Sequence, residues 1–332
     1  MSNRPIIAVT MGDPAGVGPE VAAKALAREE VWACCRPFVI GDARVMIKAA
    51  ALLDTPLALR GIGDLKDARF DAAAPDVLDL RNADPAVLLP GQVSAVAGRA
   101  SVECVEKAVE LVQAGQADAI ATGPINKAAL KAAGVPYIGH TELLAALTGE
   151  ERVTTMLATT GLRVVHVTRH VPLAEVARYM TRERILETIR LTDVGLKQMG
   201  ISAPRLAAAA LNPHGGDEGL MGREEIDAIG PAVEAAQAEG IDARGPIPAD
   251  SVFFRAIRGE FDAVIAMYHD QGHIPIKTHG FERSVTVTLG LPIVRTSVDH
   301  GTAFDIAWQG VADEESMVEA LCLAAQLAAN SA

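Results

Sequence analysis

The sequence predicts an α/β protein with a largely parallel sheet. Short apolar runs of strand length alternate along the chain with longer amphipathic stretches of helical period. Glycines and polar residues directly follow several of these runs, as they do at the carboxyl ends of strands in open α/β sheets, where ligands bind. Half of the 332 residues are hydrophobic, which is enough for one large or two medium domains.

Composition argues against several classes of protein. The formal net charge of −12 at pH 7 argues against a nucleic-acid-binding surface, and it means that an anionic substrate needs a local basic pocket. The apolar runs fall well short of the ~20 residues that a membrane span needs. The segment MSNRPIIAVTMGDP contains no signal-peptide cleavage pattern. The four cysteines (Cys34, Cys35, Cys104 and Cys322) show no CxxC spacing, so we expect a cytoplasmic protein with reduced thiols.

The N-terminal part is expected to alternate strands with helices. Its predicted strands are 5–11, 37–42, 75–80 and 117–121, and its predicted helices are 19–28 and 92–116. The first strand leads into Gly12-Asp13-Pro14-Ala15-Gly16, whose backbone can approach a ligand because glycine has no side chain. The spacing is not GxGxxG, and a plain strand-to-helix turn explains it equally well. In the TGPINK turn, Asn126 is explained equally well as a helix cap and as a substrate contact.

The middle of the chain adds further histidines at the ends of predicted elements. We expect Thr141 to cap a helix, with His140 placed at the helix N-terminus to meet an anion. A hairpin over 153–159 and 162–168 makes His166 a packed residue and leaves His170 where the strand stops. The remaining expectations are a helix over 173–199, a strand over 205–211 that ends just before His214, and a helix start capped by Asp250.

Residues 267–277, MYHDQGHIPIK, are the densest group of reactive side chains. The preceding run, 261–266, predicts a buried strand, so His269 and Asp270 arrive where that strand gives way to a loop. Pro275 is expected to end regular hydrogen bonding before the cationic Lys277. These groups indicate a functional site. A strand over 281–288 and a glycine-containing loop over 299–307 follow, and a helix closes the chain.

Three histidines suggest a metal site. His170, His214 and His269 each end a separate predicted strand, as three neutral imidazole ligands of a divalent metal would. Such a set leaves an open coordination position for substrate. Eight histidines are present, so three can be chosen by chance, and the spacing by itself is only moderately specific.

Eight motifs together resemble one family. MGDPAGVGPE, TGPINK, GHTE, LNPHGG, GPIPAD, YHDQGHIPIK, TLGLP and RTSVDHGTA occur in this order between Thr10 and about Asp313. They are similar to the 4-hydroxythreonine-4-phosphate dehydrogenase family of vitamin B6 biosynthesis. The GDPAGVGPE and HGTAFDIA segments also resemble the wider isopropylmalate/isocitrate dehydrogenase superfamily. The resemblance implies two α/β/α domains with an active-site cleft between them: 1–135 plus 295–332 on the cofactor side, and 136–294 for metal, substrate and dimerisation.

The resemblance assigns roles residue by residue. His170, His214 and His269 match metal ligands that are contributed across the interface of a homodimer. Substrate-contacting positions are matched by His140, Thr141, Lys277 and Arg295, with Thr286 where the family has an asparagine. Asp250 and Asp270 match acidic positions near the metal, and with Lys277 they are the candidate catalytic residues. By superfamily analogy the cofactor meets Gly12 and Asp13 and the loop His300, Gly301, Thr302 and Ala303. His166, His273 and His279 match nothing assigned.

The implied reaction is oxidation followed by decarboxylation. The family converts 4-(phosphooxy)-L-threonine to 3-amino-2-oxopropyl phosphate for pyridoxal phosphate biosynthesis, with NAD, or alternatively NADP, and one divalent metal ion. Three imidazoles suit zinc, cobalt or manganese better than magnesium. The metal would polarise the C3 hydroxyl as hydride leaves to NAD, and it would then stabilise the enolate as carbon dioxide leaves. Lys277 and Arg295 would hold the phosphate or carboxylate.

Two departures keep other substrates open. Phe281-Glu282-Arg283-Ser284-Val285-Thr286 stands where the biosynthetic enzyme has a glycine-rich stretch. HDQGHIPIK looks more like paralogous branches that act on 4-phospho-D-threonate, 4-phospho-D-erythronate or a carboxylated cis-dihydrodiol. An acyl or phosphate transferase and a ligand-binding sensor are alternatives from other classes. The transferase would not need the three histidines, and the intact set of His, Asp and Lys residues argues against the sensor.

Overall fold

A computed structural model describes residues 4–54 and 57–331. Its strands are β1 (Ile6–Thr10), β2 (Arg36–Gly41), β3 (Arg60–Ile62), β4 (Asp76–Asp79), β5 (Ala119–Thr122), β6 (Thr154–Thr159), β7 (Leu162–His166), β8 (Arg205–Ala209), β9 (Asp242–Ile247), β10 (Ala263–Ala266), β11 (Val285–Leu289) and β12 (Val294–Val298). Its α-helices are α1 (Gly18–Leu26), α2 (Glu29–Cys34), α3 (Ala43–Ala50), α4 (Ala95–Gln113), α5 (Lys127–Ala132), α6 (His140–Thr148), α7 (Arg182–Gln198), α8 (Gly230–Ala238), α9 (Ala249–Ile257), α10 (His269–Gly280) and α11 (Glu315–Ser331). None of the described helices is long and apolar enough to cross a membrane.

The first of two compact units contains the residues up to Arg152 and those from Leu291 onward. Its strands lie in the order β3-β4-β2-β1-β5-β12, and the neighbouring strands are parallel. The residues of β5 are all buried, as expected for a parallel strand with both faces covered. The α/β class and the largely parallel sheet are therefore confirmed. Because β1, β5 and β12 are adjacent and parallel, the loops that follow them leave the sheet at one edge.

The second unit is the continuous segment Val153–Gly290. Its strands lie in the order β11-β6-β7-β10-β8-β9. The strands β7, β10, β8 and β9 are parallel, whereas β6 is antiparallel to both β7 and β11. The predicted hairpin is therefore confirmed as β6 and β7. Residues from neighbouring strands (Val164, Val264 and Ala207) pack in one buried cluster with Val252 of α9 and Ile276 of α10.

The expected loop after β10 is wrong, because α10 begins at His269 and runs through Pro275. A proline inside a helix removes a hydrogen bond and costs about 3 kcal/mol. Packing offsets that cost: Gly272 and Ile276 are buried on this helix. The Gln271 side chain accepts a hydrogen bond from the Met267 N–H and donates one to the Ala210 carbonyl, at 2.7 Å each. Tertiary contacts therefore outweigh the local preference of proline.

Two expected helix caps are also wrong. Gly139, not Thr141, is the N-cap of α6, and it has extended backbone with no side-chain capping bond. Pro248, not Asp250, precedes α9, so Asp250 lies in the first turn, beyond the position from which a side chain caps. The first turn of α6 consequently keeps backbone N–H groups without a side-chain acceptor, within the described residues, at the end of the helix that attracts anions.

The contact of α4 with α5 gives a test of packing in the first unit. A Cβ atom at Gly98 in α4 would lie 2.2 Å from the Ala129 carbonyl oxygen. Glycine-to-alanine changes inside helices otherwise stabilise by roughly 0.5–1 kcal/mol. We predict that Gly98→Ala instead destabilises by roughly 1–3 kcal/mol, because rigid backbone must move. Thermal unfolding checks this. Gly63→Ala is the control, since its Cβ would meet no described atom within 4 Å, and equal melting temperatures for the two variants would refute the prediction.

Candidate functional site

Three loops of the first unit are joined by hydrogen bonds at one edge of its sheet. They follow β1, β5 and β12 and contain the GDPAG, TGPINK and HGTA motifs. The Asp13 N–H donates to the Pro124 carbonyl at 2.8 Å, and the Val17 N–H donates to the Thr302 carbonyl at 3.0 Å. The Asn126 amide donates to the Thr302 hydroxyl at 3.2 Å. The structure thus brings together the GDPAG and HGTA loops that we assigned to the cofactor.

Gly12 and Gly16 make this close packing possible. Gly12 has φ +73°, and a Cβ atom there would lie 2.6 Å from the Pro124 carbonyl oxygen. A Cβ atom at Gly16 would lie 2.8 Å from atoms of Thr302. A larger residue would push the loops apart. These glycines therefore serve contacts with neighbouring loops.

Asn126 caps a helix, one of the two interpretations of its motif. Its side-chain oxygen accepts a hydrogen bond from the Ala129 N–H at 3.0 Å at the start of α5. Its amide nitrogen is the group that reaches Thr302. Both ends of the side chain are thus used to fix the loop.

Asp13 is a fully buried carboxyl group in this loop cluster. One oxygen accepts a hydrogen bond from the Ala15 N–H at 2.8 Å, and the other has no partner among the described residues. Burial raises the pKa of Asp13 to about 6, although hydrogen bonds from the Ala15 and Gly16 backbone oppose the rise. A buried carboxylate oxygen without a donor is a group that a ligand hydroxyl can satisfy.

Arg295 supplies a buried positive charge in the first unit. It lies on β12, is 3% exposed, and donates to the Thr122 hydroxyl from Nε at 3.2 Å and from Nη2 at 2.6 Å. Burial lowers the pKa of Arg295 to about 9, so the guanidinium stays protonated at neutral pH. A buried cation of this kind suits an anionic ligand.

His140 begins α6 and is influenced by Arg295. Burial, followed by the charge of Arg295, lowers the pKa of His140 well below its usual range, so the imidazole is neutral. Its Nε2 atom is buried and has no hydrogen-bond partner in the described part of the chain. Together with the uncapped first turn of α6, these groups could hold a phosphate or carboxylate. The charge of Arg295 therefore acts on His140, and Thr141 follows His140 in the first turn of α6.

The second unit contains a cluster of histidines. Hydrogen bonds from Val167 and Thr168 to the carbonyls of Ala266 and Met267 extend the pairing of β7 with β10. As a result, the rings of His170 and His269 lie 6.1 Å apart between centroids. Two of the three predicted metal ligands are therefore neighbours in a single chain.

Asp270 orients His269. Its Oδ1 lies 2.7 Å from His269 Nδ1, which therefore carries the proton and leaves the lone pair on Nε2. A carboxylate on the far nitrogen is the usual partner of a metal-bound imidazole. These side chains fit a metal ligand and its supporting group.

His166 and His273, to which the sequence assigned no role, belong to the same cluster. The His273 ring is stacked on His269 at 3.6 Å and lies 4.7 Å from His166. His273 is four residues after His269, so both lie on one face of α10. A segment expected to be a loop gives no sign of this helical spacing. Burial lowers the pKa of His166 to about 3, so its ring is neutral.

His214 lies apart on the loop after β8. Its side chain is 66% exposed, with Nδ1 3.5 Å from Asp217 Oδ2, and its φ is +55°. A non-glycine residue in that region costs roughly 1–3 kcal/mol. Over residues 4–54 and 57–331, a single chain assembles no group of three His, Cys, Asp or Glu residues that could hold a metal ion. The set His170, His214 and His269 therefore stays a prediction.

The other predicted residues of the second unit lie on separate elements. Lys277 of α10 donates to the Ser284 hydroxyl at 3.2 Å, and its Nζ lies 4.8 Å from the centre of the Phe281 ring. Thr286 is half-buried on β11, opposite Leu157 of β6. Asp250 is exposed at the start of α9.

Comparison with known proteins identifies the class. D-threonate 4-phosphate dehydrogenase of Cupriavidus necator is 50% identical to this chain over 329 residues, which cover 99% of this chain and 98% of that protein. Crystal structures of 4-hydroxythreonine-4-phosphate dehydrogenase are similar as well. The one from Burkholderia phymatum shares 49% identity at a TM-score of 0.86, covering 98% of this chain and 99% of that one. The one from Klebsiella pneumoniae shares 45% identity at 0.91, with the same coverage. The protein is an oxidoreductase.

The family follows from a second comparison. The sequence model described as pyridoxal phosphate biosynthetic protein PdxA matches residues 33–324. This chain belongs to the PdxA family, as its ordered motifs suggested.

The pKa of Asp13 gives a pH-dependent prediction. Because the folded-state pKa is raised to about 6 from 3.8, the folded protein keeps a proton that the unfolded chain has released, and stability falls as pH rises through that window. Above it the penalty is on the order of 3 kcal/mol. We predict that Asp13→Asn melts at a higher temperature than the wild type at pH 8, and that the gap closes near pH 4. A gap that does not change with pH would contradict this.

Proposed function

We propose that the protein is a cytoplasmic, homodimeric dehydrogenase that oxidises D-threonate 4-phosphate with NAD and decarboxylates the product, assisted by a divalent metal ion. The observation that supports an anionic substrate is the buried Arg295, whose charge acts on a neutral His140 at the start of α6, where the helix has no side-chain cap. The choice of substrate is supported by the 50% identity to D-threonate 4-phosphate dehydrogenase over nearly the whole of both chains. The FERSVT and HDQGHIPIK segments favour the same branch.

The first unit would bind the phosphate and the cofactor. Arg295 offers N–H donors in a fixed fork, which suits a phosphate or carboxylate. Thr122 fixes that fork through two hydrogen bonds. His140 and the adjacent Thr141 complete this anion site. Since the net charge of the protein is −12, local cations must overcome its general repulsion of the substrate.

The cofactor assignment rests on the joined loops of the first unit. We place NAD, or alternatively NADP, against Gly12 and Asp13 and against His300, Gly301, Thr302 and Ala303. Asp13 Oδ2 and His300 Nε2 are both buried atoms without a hydrogen-bond partner within the described residues. Each can meet a polar group of a bound nucleotide.

The second unit would hold the metal ion through His170, His214 and His269. A divalent ion bound there would act as a Lewis acid on the oxygen at substrate C3. Zinc, cobalt and manganese suit imidazole ligands, and magnesium is the less favoured choice. Asp270 keeps His269 in the tautomer that ligation needs. Lys277 and Asp250 stay candidates for contact with substrate carboxylate and for proton transfer, and Thr286 for substrate contact.

The proposed reaction has an oxidation step and a decarboxylation step. Loss of hydride from C3 to NAD and of the C3 hydroxyl proton gives a β-keto acid. Its carboxylate leaves as carbon dioxide, and one proton is taken up at C2, which gives dihydroxyacetone phosphate and NADH. Neutral His140 and protonated Arg295 keep their charge states at pH 7, so they hold the substrate without taking part in proton transfer.

The second candidate substrate is 4-(phosphooxy)-L-threonine, which would give 3-amino-2-oxopropyl phosphate for pyridoxal phosphate biosynthesis. The observation that favours it is the 49% identity to a solved 4-hydroxythreonine-4-phosphate dehydrogenase over nearly all of both chains. The two substrates differ at C2, where one carries a hydroxyl group and the other an ammonium group.

NADH formation by metal-loaded protein decides between them. We predict turnover of D-threonate 4-phosphate with a kcat/KM at least tenfold above that for 4-(phosphooxy)-L-threonine. D-erythronate 4-phosphate and a carboxylated cis-dihydrodiol complete the panel. A reversed preference for the first two would place the enzyme in pyridoxal phosphate biosynthesis. Absence of NADH with all four would refute the proposed activity.

The metal assignment has its own test. We predict that His269→Ala lowers both Co²⁺ affinity and kcat/KM by roughly 100-fold or more, since loss even of a supporting group costs 10–100-fold. His279→Ala is the matched control on the same helix, because His279 is exposed and bonds the Thr160 carbonyl. Titration of Co²⁺ absorbance measures the affinity. Equal affinities in the two variants would argue against His269 as a ligand.

A further inference from the structure

The loop that carries His214 has an unusual backbone. His214, Asp217 and Glu218 all have positive φ, at +55°, +42° and +56°. Non-glycine residues rarely adopt this conformation, and it persists only where the surrounding structure holds it in place. Some other part of the second unit must therefore hold this loop.

Glu225 makes the required contacts. Its Oε1 accepts hydrogen bonds from the Leu211 N–H at 2.8 Å and from the Asn212 N–H at 2.7 Å. Its Oε2 accepts one from the Asn212 side-chain amide at 2.9 Å. Glu225 is 4% exposed and begins a π-helical turn, Glu225–Ile229, a rare conformation that is frequent at functional sites. One buried carboxylate thus fixes the two residues at the start of the His214 loop.

The loop is shaped around this carboxylate. A Cβ atom at Gly216 would lie 2.8 Å from Glu225 Oε2. A Cβ atom at Gly222 would lie 2.4 Å from the Asn212 amide nitrogen, which also donates to Glu224 at 2.7 Å. At both glycines, a larger residue would collide with the side chains already packed there. The Glu225 carboxylate is therefore closely fitted against Gly216, and the Asn212 side chain that donates to it is closely fitted against Gly222.

A negative charge is costly to bury, so its presence needs a reason. Within the described residues, Glu225 accepts hydrogen bonds from N–H groups of Leu211 and Asn212. It forms no salt bridge with a lysine or arginine there. A neutral amide could not accept from all three donors, because its nitrogen donates. The carboxylate is thus matched to the loop rather than to a countercharge.

We propose that Glu225 is a positioning residue that holds the His214 loop in the conformation that metal binding requires. It acts through the backbone of Leu211 and Asn212 and does not itself touch the metal. The inference rests on the proposed metal role of His214. Glu225 is not one of the site residues predicted from the sequence.

The test compares Glu225→Gln with Asp262→Asn. Asp262 is the matched control, because its carboxylate accepts from the Arg205 N–H and side chain at the opposite end of β8. Co²⁺ titration of the dimer, followed by its visible absorption spectrum, reports ligand geometry independently of activity. We expect Glu225→Gln to bind Co²⁺ roughly 10–100-fold more weakly, with an altered spectrum. Asp262→Asn should keep the wild-type affinity and spectrum even where its melting temperature falls.

Two further variants make each result decisive. His214→Ala tests the underlying assignment: unchanged Co²⁺ binding would remove His214 from the site and overturn the inference with it. If His214→Ala loses binding while Glu225→Gln keeps it, the inference alone is overturned. Should Glu225→Gln fail to fold, Asn212→Ala replaces it, since it removes only the side-chain amide. A smaller loss of affinity with an altered spectrum supports the proposal, and wild-type behaviour refutes it.

Discussion

The first unit depends on backbone-to-backbone contact among the loops that follow β1, β5 and β12. Main-chain hydrogen bonds from Asp13 and Val17 hold these loops together. Gly12 and Gly16 allow the loops to approach this closely because they have no Cβ atom. The arrangement buries a carboxyl group at considerable cost, which is visible in the raised pKa of Asp13. Stability is reduced here by a buried carboxyl group whose second oxygen has no hydrogen-bond partner among the described residues. Such a cost is typical of sites that are built for a ligand.

In the second unit, the equivalent constraint is the helical path of α10 through Pro275. Only a helix places His269 and His273 in one stack, with His166 against the far side of that stack. The rings can lie this close because burial keeps His166 uncharged, which avoids repulsion. Gly272 is essential here, since a Cβ atom at this position would lie 2.2 Å from His166 Nε2. The stacking of the histidine rings therefore depends on the helical path of α10, on an uncharged His166 and on the absence of a side chain at Gly272.

Much of the architecture could be predicted from local patterns. Apolar runs with β-branched residues predicted the strands, and glycines at their ends predicted the loops that meet at the sheet edge. The helix α10 could not be predicted, because its stability comes from burial of Gln271, Gly272 and Ile276, which a local pattern with an internal proline conceals. Glu225 was missed for a related reason. In sequence it is one of two consecutive glutamates, which resemble a solvated helix start, and only the fold shows that it is buried.

The order of segments along the chain affects how the protein is made. The second unit is continuous, whereas the first is completed only by residues from Leu291 onward. During synthesis β5 lacks its neighbour β12, and its outer edge has unpaired main-chain groups until the segment from Leu291 onward has left the ribosome. The loop with Thr302 arrives at the same late stage. The GDPAG loop therefore gains its contact with Thr302 only after this later segment is made, and newly made chains pass through an incomplete state with an exposed strand edge.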